Sequence, residues 1–244
     1  MTHGSFDVSP QRYVRIGGAL YVAIILLGAF SEGFAINQLV VAGDVARTAH
    51  NIAGSPQLWH LAVASDLFVV ILALPLLWIE YLLLRPVSRQ WVLLGLLFNV
   101  VSLAVEAVSK LFLLAVLPML THANYLPAFS AEQLQVLTDM TLRSHGIAFN
   151  IALIFFGFTC IINGRLIARS GYLPRLLGWL MQLAGACYLI ACIAALLAPA
   201  FANLISPAIL LPPLVGESSM ALWLLVKGVN LPKWRERISA GYGA

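Results

Sequence analysis

Charged residues are scarce in this 244-residue chain: they make up 10% of it, against about a quarter of an ordinary soluble domain. Hydrophobic residues make up 61%, and the mean hydropathy is +0.93. This balance excludes a soluble globular enzyme, a disordered chain and a nucleic-acid-binding module, and it indicates a multi-pass membrane protein. We therefore interpret the net charge of +4 as an orientation signal and exclude nucleic acid as a partner.

Cysteines and metal-binding patterns are also few or missing. The three cysteines all lie in hydrophobic runs and form no Cys-x-x-Cys pair, so we interpret them as apolar side chains. The chain has no His-Glu-x-x-His or His-x-x-x-His pattern, and we predict no metal and no cofactor. Ser144 and Ser218 lie beside ionisable residues but not on a nucleophile elbow, so the catalytic residues stay unknown.

Six apolar segments are each long enough to cross a bilayer. A membrane-spanning segment of this length must satisfy its own backbone hydrogen bonds, which predicts helices. The sequence therefore predicts an all-α integral membrane protein, a six-transmembrane-helix bundle that forms a single membrane domain over residues 1–244. The predicted spans cover residues 14–37, 59–84, 91–117, 143–167, 176–198 and 207–229.

Basic residues are distributed unevenly between the two sides that these spans define. Eleven of the fourteen lysines and arginines fall on the side that holds both termini. Because cytoplasmic segments are enriched in Lys and Arg, we predict a plasma-membrane protein with cytoplasmic N- and C-termini. The eleven are Arg12, Arg15, Arg85, Arg89, Arg165, Arg169, Arg175, Lys227, Lys233, Arg235 and Arg237.

Two of the outer connections carry helix-start signals. Asp44 is placed to cap a short surface helix that ends at Gly54. Ser130, with Gln133 three residues later, matches a capping box. We expect the helix that begins after Ser130 to run on into the fourth span.

The sixth span begins with a proline-rich stretch. Proline is favourable in the first turn of a helix but breaks a helix when it lies inside one. Two structures are therefore open: the helix starts at Pro212 or Pro213, or it is broken within the membrane just before Glu217.

Most ionisable residues in the predicted spans lie in the outer half of the membrane. Those on the third span recur at three- and four-residue steps, which places them on one helix face. A charge at the bilayer centre is costly, so these residues should face the bundle interior. We predict a polar, acid-lined pocket open to the outer side. Its candidate residues are Glu32, His60, Asp66, Asn99, Glu106, Lys110, His145 and Glu217.

The charges in this predicted pocket do not balance. Its four acids face Lys110, with Arg143 as a second candidate base. Glu106 precedes Lys110 by four residues, which suits a same-face ion pair. The other acids have no evident partner, so we expect at least one of Asp66, Glu106 and Glu217 to be protonated at neutral pH or to bind a cation.

Several blocks of the sequence, in order along the chain, resemble a known family. They are RIGGALYVAIILLGAFSE, GDVARTAHNI, LLRPVSR, HGIAF, RSGYLPRLLGWL and LPPLVGESSMALWLLVKGVN. Together they are similar to the bacterial multi-pass membrane family catalogued as domain of unknown function 4386, over nearly the whole chain. The resemblance implies a bacterial inner-membrane protein and assigns no reaction, substrate or cofactor. The matching positions include Glu32, Asp44, Asp66, His145, Gly216 and Glu217.

Three functions are compatible with these features, and whether the chain is an enzyme stays open. In the first, the pocket binds or acts on a lipophilic small molecule, with an acid or His145 as general acid or base. In the second, the acids serve a small proton- or cation-coupled carrier. In the third, the polar groups join helices in a structural subunit without catalysis. The expected partners are the lipid bilayer and, for the first function, a lipophilic small molecule.

Overall fold

The protein is built from α-helices. A computed structural model describes residues 10–121 and 127–241, and no strand occurs among them. Six of the helices are long and apolar enough to span a membrane, which confirms the predicted fold class. In chain order the helices are α1 (Pro10–Leu39), α2 (Val45–Gly54), α3 (Pro56–Leu84), α4 (Arg89–Thr121), α5 (Ala131–Ser170), α6 (Arg175–Leu197), α7 (Pro199–Ile205), α8 (Ala208–Val226) and α9 (Leu231–Gly241); α2, α7 and α9 are the short ones.

The two helix starts predicted in the outer connections are both present. The Arg47 backbone N–H donates to Asp44 Oδ1 at 2.9 Å, and α2 ends at Gly54 as expected. At the start of α5 the Gln133 N–H donates to Ser130 Oγ at 3.2 Å, while the Ser130 N–H donates to Gln133 Oε1 at 2.8 Å. This reciprocal pair is a capping box. It starts one continuous helix that runs from Ala131 through the fourth span to Ser170.

The structure decides between the two possibilities for the sixth span. Residues Ala208–Leu210 form a single 3-10 turn, and the α-helix proper begins at Leu211 with Pro212 and Pro213 in its first turn. A proline in the first turn costs no intrahelical hydrogen bond. The helix therefore starts at the prolines and is unbroken beyond them, with Glu217 in its second turn. It ends at Val226, short of the predicted residue 229, because Gly228 adopts a positive φ of 69° that turns the chain.

The described residues form two compact units. The Lys110 unit comprises Ala23–Leu72 and the described part of Ser102–Ala152. The Glu217 unit comprises residues 10–22, Ala73–Val101 and 153–241.

The Lys110 unit has an apolar core near one end of its helices. The Trp59 side chain is 1% exposed, and its indole N–H donates to the Leu113 carbonyl at 3.2 Å, which joins α3 to α4. A buried Trp needs such a partner, since its N–H would otherwise lose a hydrogen bond to water. The buried members of this core are Leu39, Ile52, Trp59, Val63, Leu113, Val116 and Leu117.

The Glu217 unit contains a close crossing of α5 and α6. A Cβ atom added at Gly164 would lie 2.6 Å from the Gly178 carbonyl oxygen, so no larger residue fits without separating the two helices. Small residues allow this kind of backbone approach in lipid, where van der Waals contact rather than water exclusion drives helix association.

Candidate functional site

Lys110 is the centre of a group of ionisable side chains in the Lys110 unit. Its Nζ lies 2.9 Å from Asp66 Oδ2, 3.8 Å from Glu106 Oε1 and 3.9 Å from Glu32 Oε1. These acids come from three helices: α3, α4 and α1. One buried lysine therefore faces three carboxyl groups, and we call these residues together with His145 the Lys110 cluster.

The local structure of α1 places Glu32 in this cluster. Residues Ala29–Ile36 form a π-helical segment, a rare wide turn that is frequent at functional sites. Ser31 is fully buried in this segment, and its Oγ donates to the Ala62 carbonyl at 2.9 Å. This bond joins α1 to α3 one turn before Asp66, so the neighbouring carboxyl of Glu32 is held close to Asp66.

His145 connects the cluster to α5. Its Nδ1 lies 3.1 Å from the Ser109 carbonyl oxygen, and its Nε2 lies 3.3 Å from Glu32 Oε1. The Phe149 ring, one turn further along α5, stacks with the imidazole at a centroid distance of 5.8 Å. Lys110 Nζ lies 4.7 Å from the centroid of the same ring, within cation–π range.

Exposure within the cluster is graded. The Lys110 and Asp66 side chains are 1% and 4% exposed, Glu106 is 14% exposed, and Glu32 is 33% exposed. The central ion pair is therefore shielded, while Glu32 remains accessible from one side.

The structure brings together five of the eight predicted site residues: Glu32, Asp66, Glu106, Lys110 and His145. His60 lies in the same unit, but its side chain is exposed on α3. Asn99 and Glu217 belong to the Glu217 unit, where Asn99 is buried and Glu217 is half-buried.

Two expectations about partners were wrong. Arg143 was proposed as a base for the acids, but its guanidinium pairs with Asp139 at 2.6 Å on an exposed face of α5. Glu217 was grouped with acids lacking a partner. Instead, the Tyr188 hydroxyl donates to its Oε1 at 2.5 Å and the Tyr21 hydroxyl donates to its Oε2 at 3.1 Å.

The Glu217 unit therefore has polar contacts of its own that sequence reasoning missed. Besides the two tyrosines on Glu217, Asn163 Nδ2 donates to Glu80 Oε2 at 3.2 Å. A cavity of about 20 Å³ is lined by Tyr21, Glu80 and Asn163 among others, which is room for about one water molecule. No spacing rule indicates that a tyrosine on α1 and another on α6 meet one carboxyl on α8, because that depends on how the helices are rotated.

Across residues 10–121 and 127–241 no group of three or more His, Cys, Asp and Glu side chains is arranged to hold a metal ion. The cation of the Lys110 cluster is the Lys110 ammonium, which pairs with the three carboxyl groups.

Comparison with known proteins places the chain in a family. The family described as Domain of unknown function (DUF4386) matches residues 16–228. Neither the curated proteins nor the solved structures contain a match. The match covers most of the chain, so the protein belongs to this family, as the sequence blocks had indicated.

Proposed function

We propose that this member of the DUF4386 family is a small proton-coupled membrane carrier whose Lys110 cluster takes up and releases a proton. The observation that carries the proposal is the position of His145 between the Ser109 carbonyl and Glu32. The proposal adopts the second of the three functions that the sequence left open.

The hydrogen bonds of His145 require a proton beyond those of neutral histidine. A carbonyl oxygen only accepts, so the contact with Ser109 assigns a hydrogen to Nδ1. In a neutral ring Nε2 then carries a lone pair, and an ionised Glu32 also offers only lone pairs. Their 3.3 Å contact is attractive only if one proton lies between them, on Glu32 or on an imidazolium. This pair is therefore a proton-binding site.

The charge balance around Lys110 also favours binding of a proton by the cluster. With all three carboxyl groups ionised and His145 neutral, the cluster carries a net charge of about −2. Excess charge within a bilayer is costly, and a buried group avoids the cost by binding or losing a proton. A proton on the Glu32–His145 pair reduces this excess, and its release restores it. The cluster thus has two charge states, which is what coupling to a proton gradient requires.

The exposure gradient supplies a route for the proton. Glu32 is the most exposed acid and contacts both His145 and Lys110. A proton that binds at Glu32 neutralises this carboxyl group and so weakens the attraction between Glu32 and Lys110. The attraction between Lys110 and Asp66 then becomes the stronger of the two. A shift of the lysine between acids on α1 and α3 would convert protonation into a change of helix contacts.

Specific observations bear on the two other functions, which are binding of a lipophilic molecule and a structural role. A lipophilic ligand has access to Glu32 but not to Lys110 or Asp66, which are shielded by the protein. A structural role is supported because each acid of the cluster has a partner within 4 Å. Neither makes use of a proton shared between Glu32 and His145, so we rank them below the carrier.

Nitrogen NMR of histidine-labelled full-length protein in lipid nanodiscs tests the proton site. We expect His145 to be protonated at Nδ1 and its Nε2 signal to show a proton shared with Glu32. In Glu32→Gln the amide donates to Nε2, so His145 should stay neutral with Nδ1 protonated. Glu132→Gln, an exposed acid at the start of α5, is the matched control and should behave as the unmodified protein does. An Nε2 signal of His145 that Glu32→Gln leaves unchanged would contradict the proposal.

Transport is tested in proteoliposomes loaded at alkaline pH and placed in an acidic mixture of small metabolites. We expect at least one solute to accumulate and a protonophore to abolish the accumulation. Glu32→Gln, which removes the proton-binding carboxyl, should uncouple it, and Glu132→Gln should not. If no solute follows the proton gradient, the carrier assignment fails even if the NMR experiment succeeds.

The location follows from the same proposal. We place the protein in a bacterial inner membrane with both termini cytoplasmic, and the bilayer is its proposed partner. The support is the concentration of basic residues on one side of six spanning helices.

A further inference from the structure

Three arginines in the Glu217 unit line one cavity. Arg165 and Arg169 lie in the last two turns of α5, and Arg237 lies on the short helix α9. The cavity has a volume of about 120 Å³. The two elements meet here although they are separated by more than sixty residues of sequence, so the tertiary structure creates this concentration of positive charge.

No acidic side chain forms an ion pair with these arginines in the part of the chain that the structure describes. The ion pairs there involve Lys110, Arg143 and His145, and none includes Arg165, Arg169 or Arg237. Each arginine side chain is exposed at the rim, whereas the cavity floor contains buried Ile162 and Leu166. The site therefore pairs unpartnered guanidinium groups with an apolar base.

The position of the cavity in the fold indicates which kind of ligand can reach it. It lies where α5 ends and α4 begins, and Trp91 in the first turn of α4 lines it. Tryptophan at the end of a spanning helix marks the depth of the lipid headgroups. Guanidinium groups bind phosphate oxygens in a bidentate manner, and an apolar floor accommodates the start of an acyl chain.

We propose that this cavity, which we call the arginine cavity, binds the phosphate headgroup of an anionic phospholipid. Basic cavities between spanning helices bind such headgroups, since a phosphodiester offers several acceptor oxygens and an acyl chain directed into the bilayer. A free phosphate ion has the same oxygens but no acyl chain to occupy the apolar floor. The inference is independent of the proton chemistry at Lys110.

Native mass spectrometry of the full chain in detergent tests the proposal with equal amounts of phosphatidylglycerol and phosphatidylcholine. We expect phosphatidylglycerol to be retained preferentially. Its binding should weaken by about fivefold in each of Arg165→Gln, Arg169→Gln and Arg237→Gln, because one basic group near a headgroup contributes on that scale. Arg→Lys substitutions keep the charge but lose the bidentate geometry, and should give a smaller loss.

Arg175→Gln is the matched control, because this exposed arginine at the start of α6 does not line the cavity. It should change phosphatidylglycerol binding by less than about twofold. An equal loss in Arg175→Gln would overturn the proposal, since binding would then follow net charge alone. Displacement of the lipid by an equal concentration of inorganic phosphate would also overturn it, because the site would then prefer a free ion. The variants are at exposed positions, and their unfolding temperatures without added lipid verify that they fold.

Discussion

At the scale of single residues, the unequal distances around Lys110 show which carboxyl group is its nearest partner. Its shortest contact is with Asp66, at 2.9 Å, while the helical neighbour Glu106 is 3.8 Å away. The spacing of Glu106 and Lys110 correctly predicts a same-face pair, but the closer partner comes from another helix. Sequence spacing reports contacts along one helix and carries no information on contacts between helices.

Replacing Lys110 by methionine should make stability depend steeply on pH. The substitution removes the ammonium group that faces three carboxyl groups, and breaking a buried pair costs about 3–5 kcal/mol. At low pH the acids bind protons and the repulsion disappears, so Lys110→Met should recover stability as the pH falls. Thermal unfolding of the full chain at pH 5 and pH 8 measures this.

The double variant Lys110→Met/Asp66→Asn is the control for this prediction. It removes a negative charge together with the positive one, and most of the lost stability should return at pH 8. If Lys110→Met is equally destabilised at both pH values, the three carboxyl groups are not ionised together around the lysine.

At the scale of helices, the helix ends follow local capping rules that can be recognised in the sequence. The capping box at Ser130 and Gln133 and the cap at Asp44 were both predicted from residue type and spacing, and both are confirmed by hydrogen bonds. The π-helical segment at Ala29–Ile36 was not predicted. Its sequence resembles an ordinary apolar helix, and the segment is recognised only in the structure, where Ser31 Oγ donates to the Ala62 carbonyl on α3.

Removing the cap at the start of α5 should loosen only its first turn. We expect Ser130→Ala to cost about 1 kcal/mol locally, because the Gln133 N–H loses its acceptor. Hydrogen exchange of the Gln133 amide should accelerate by about fivefold. Ser130→Thr keeps a hydroxyl acceptor and should exchange nearly as slowly as the unmodified protein. Unchanged exchange in Ser130→Ala would show that the capping bond does not protect this turn.

The crossing of α5 and α6 predicts a contrast between two Gly→Ala substitutions. At Gly164 the new Cβ would lie 2.6 Å from a backbone oxygen, so the helices must separate and the thermal unfolding temperature should fall. At Gly28 nothing lies within 4 Å of the new Cβ, so alanine should be neutral or raise stability by up to about 1 kcal/mol. Equal effects at both positions would mean that the close approach does not limit stability.

At the scale of the whole molecule, the even number of spanning helices and the excess of basic residues on one side predict the orientation. The orientation can be measured by labelling single introduced cysteines. The native Cys160, Cys187 and Cys192 are all buried, so they should react little with the label. In intact cells a membrane-impermeant maleimide should label Ala131→Cys at the start of α5. It should label Ser239→Cys on α9 only after the membrane is permeabilised. The reverse pattern would invert the proposed topology.

The sequence alone determined the fold class, the six helices and their approximate ends. The reason is that apolar length, backbone hydrogen bonding in lipid and helix caps are local properties, readable from consecutive residues. It also identified the five residues of the Lys110 cluster, since ionisable side chains in a bilayer must turn inward. Only the tertiary structure decided which groups meet: Glu217 with two tyrosines, Glu32 with His145, and three arginines around one cavity. Those pairings depend on the rotation and depth of each helix relative to its neighbours, which arise from packing between residues far apart in the chain.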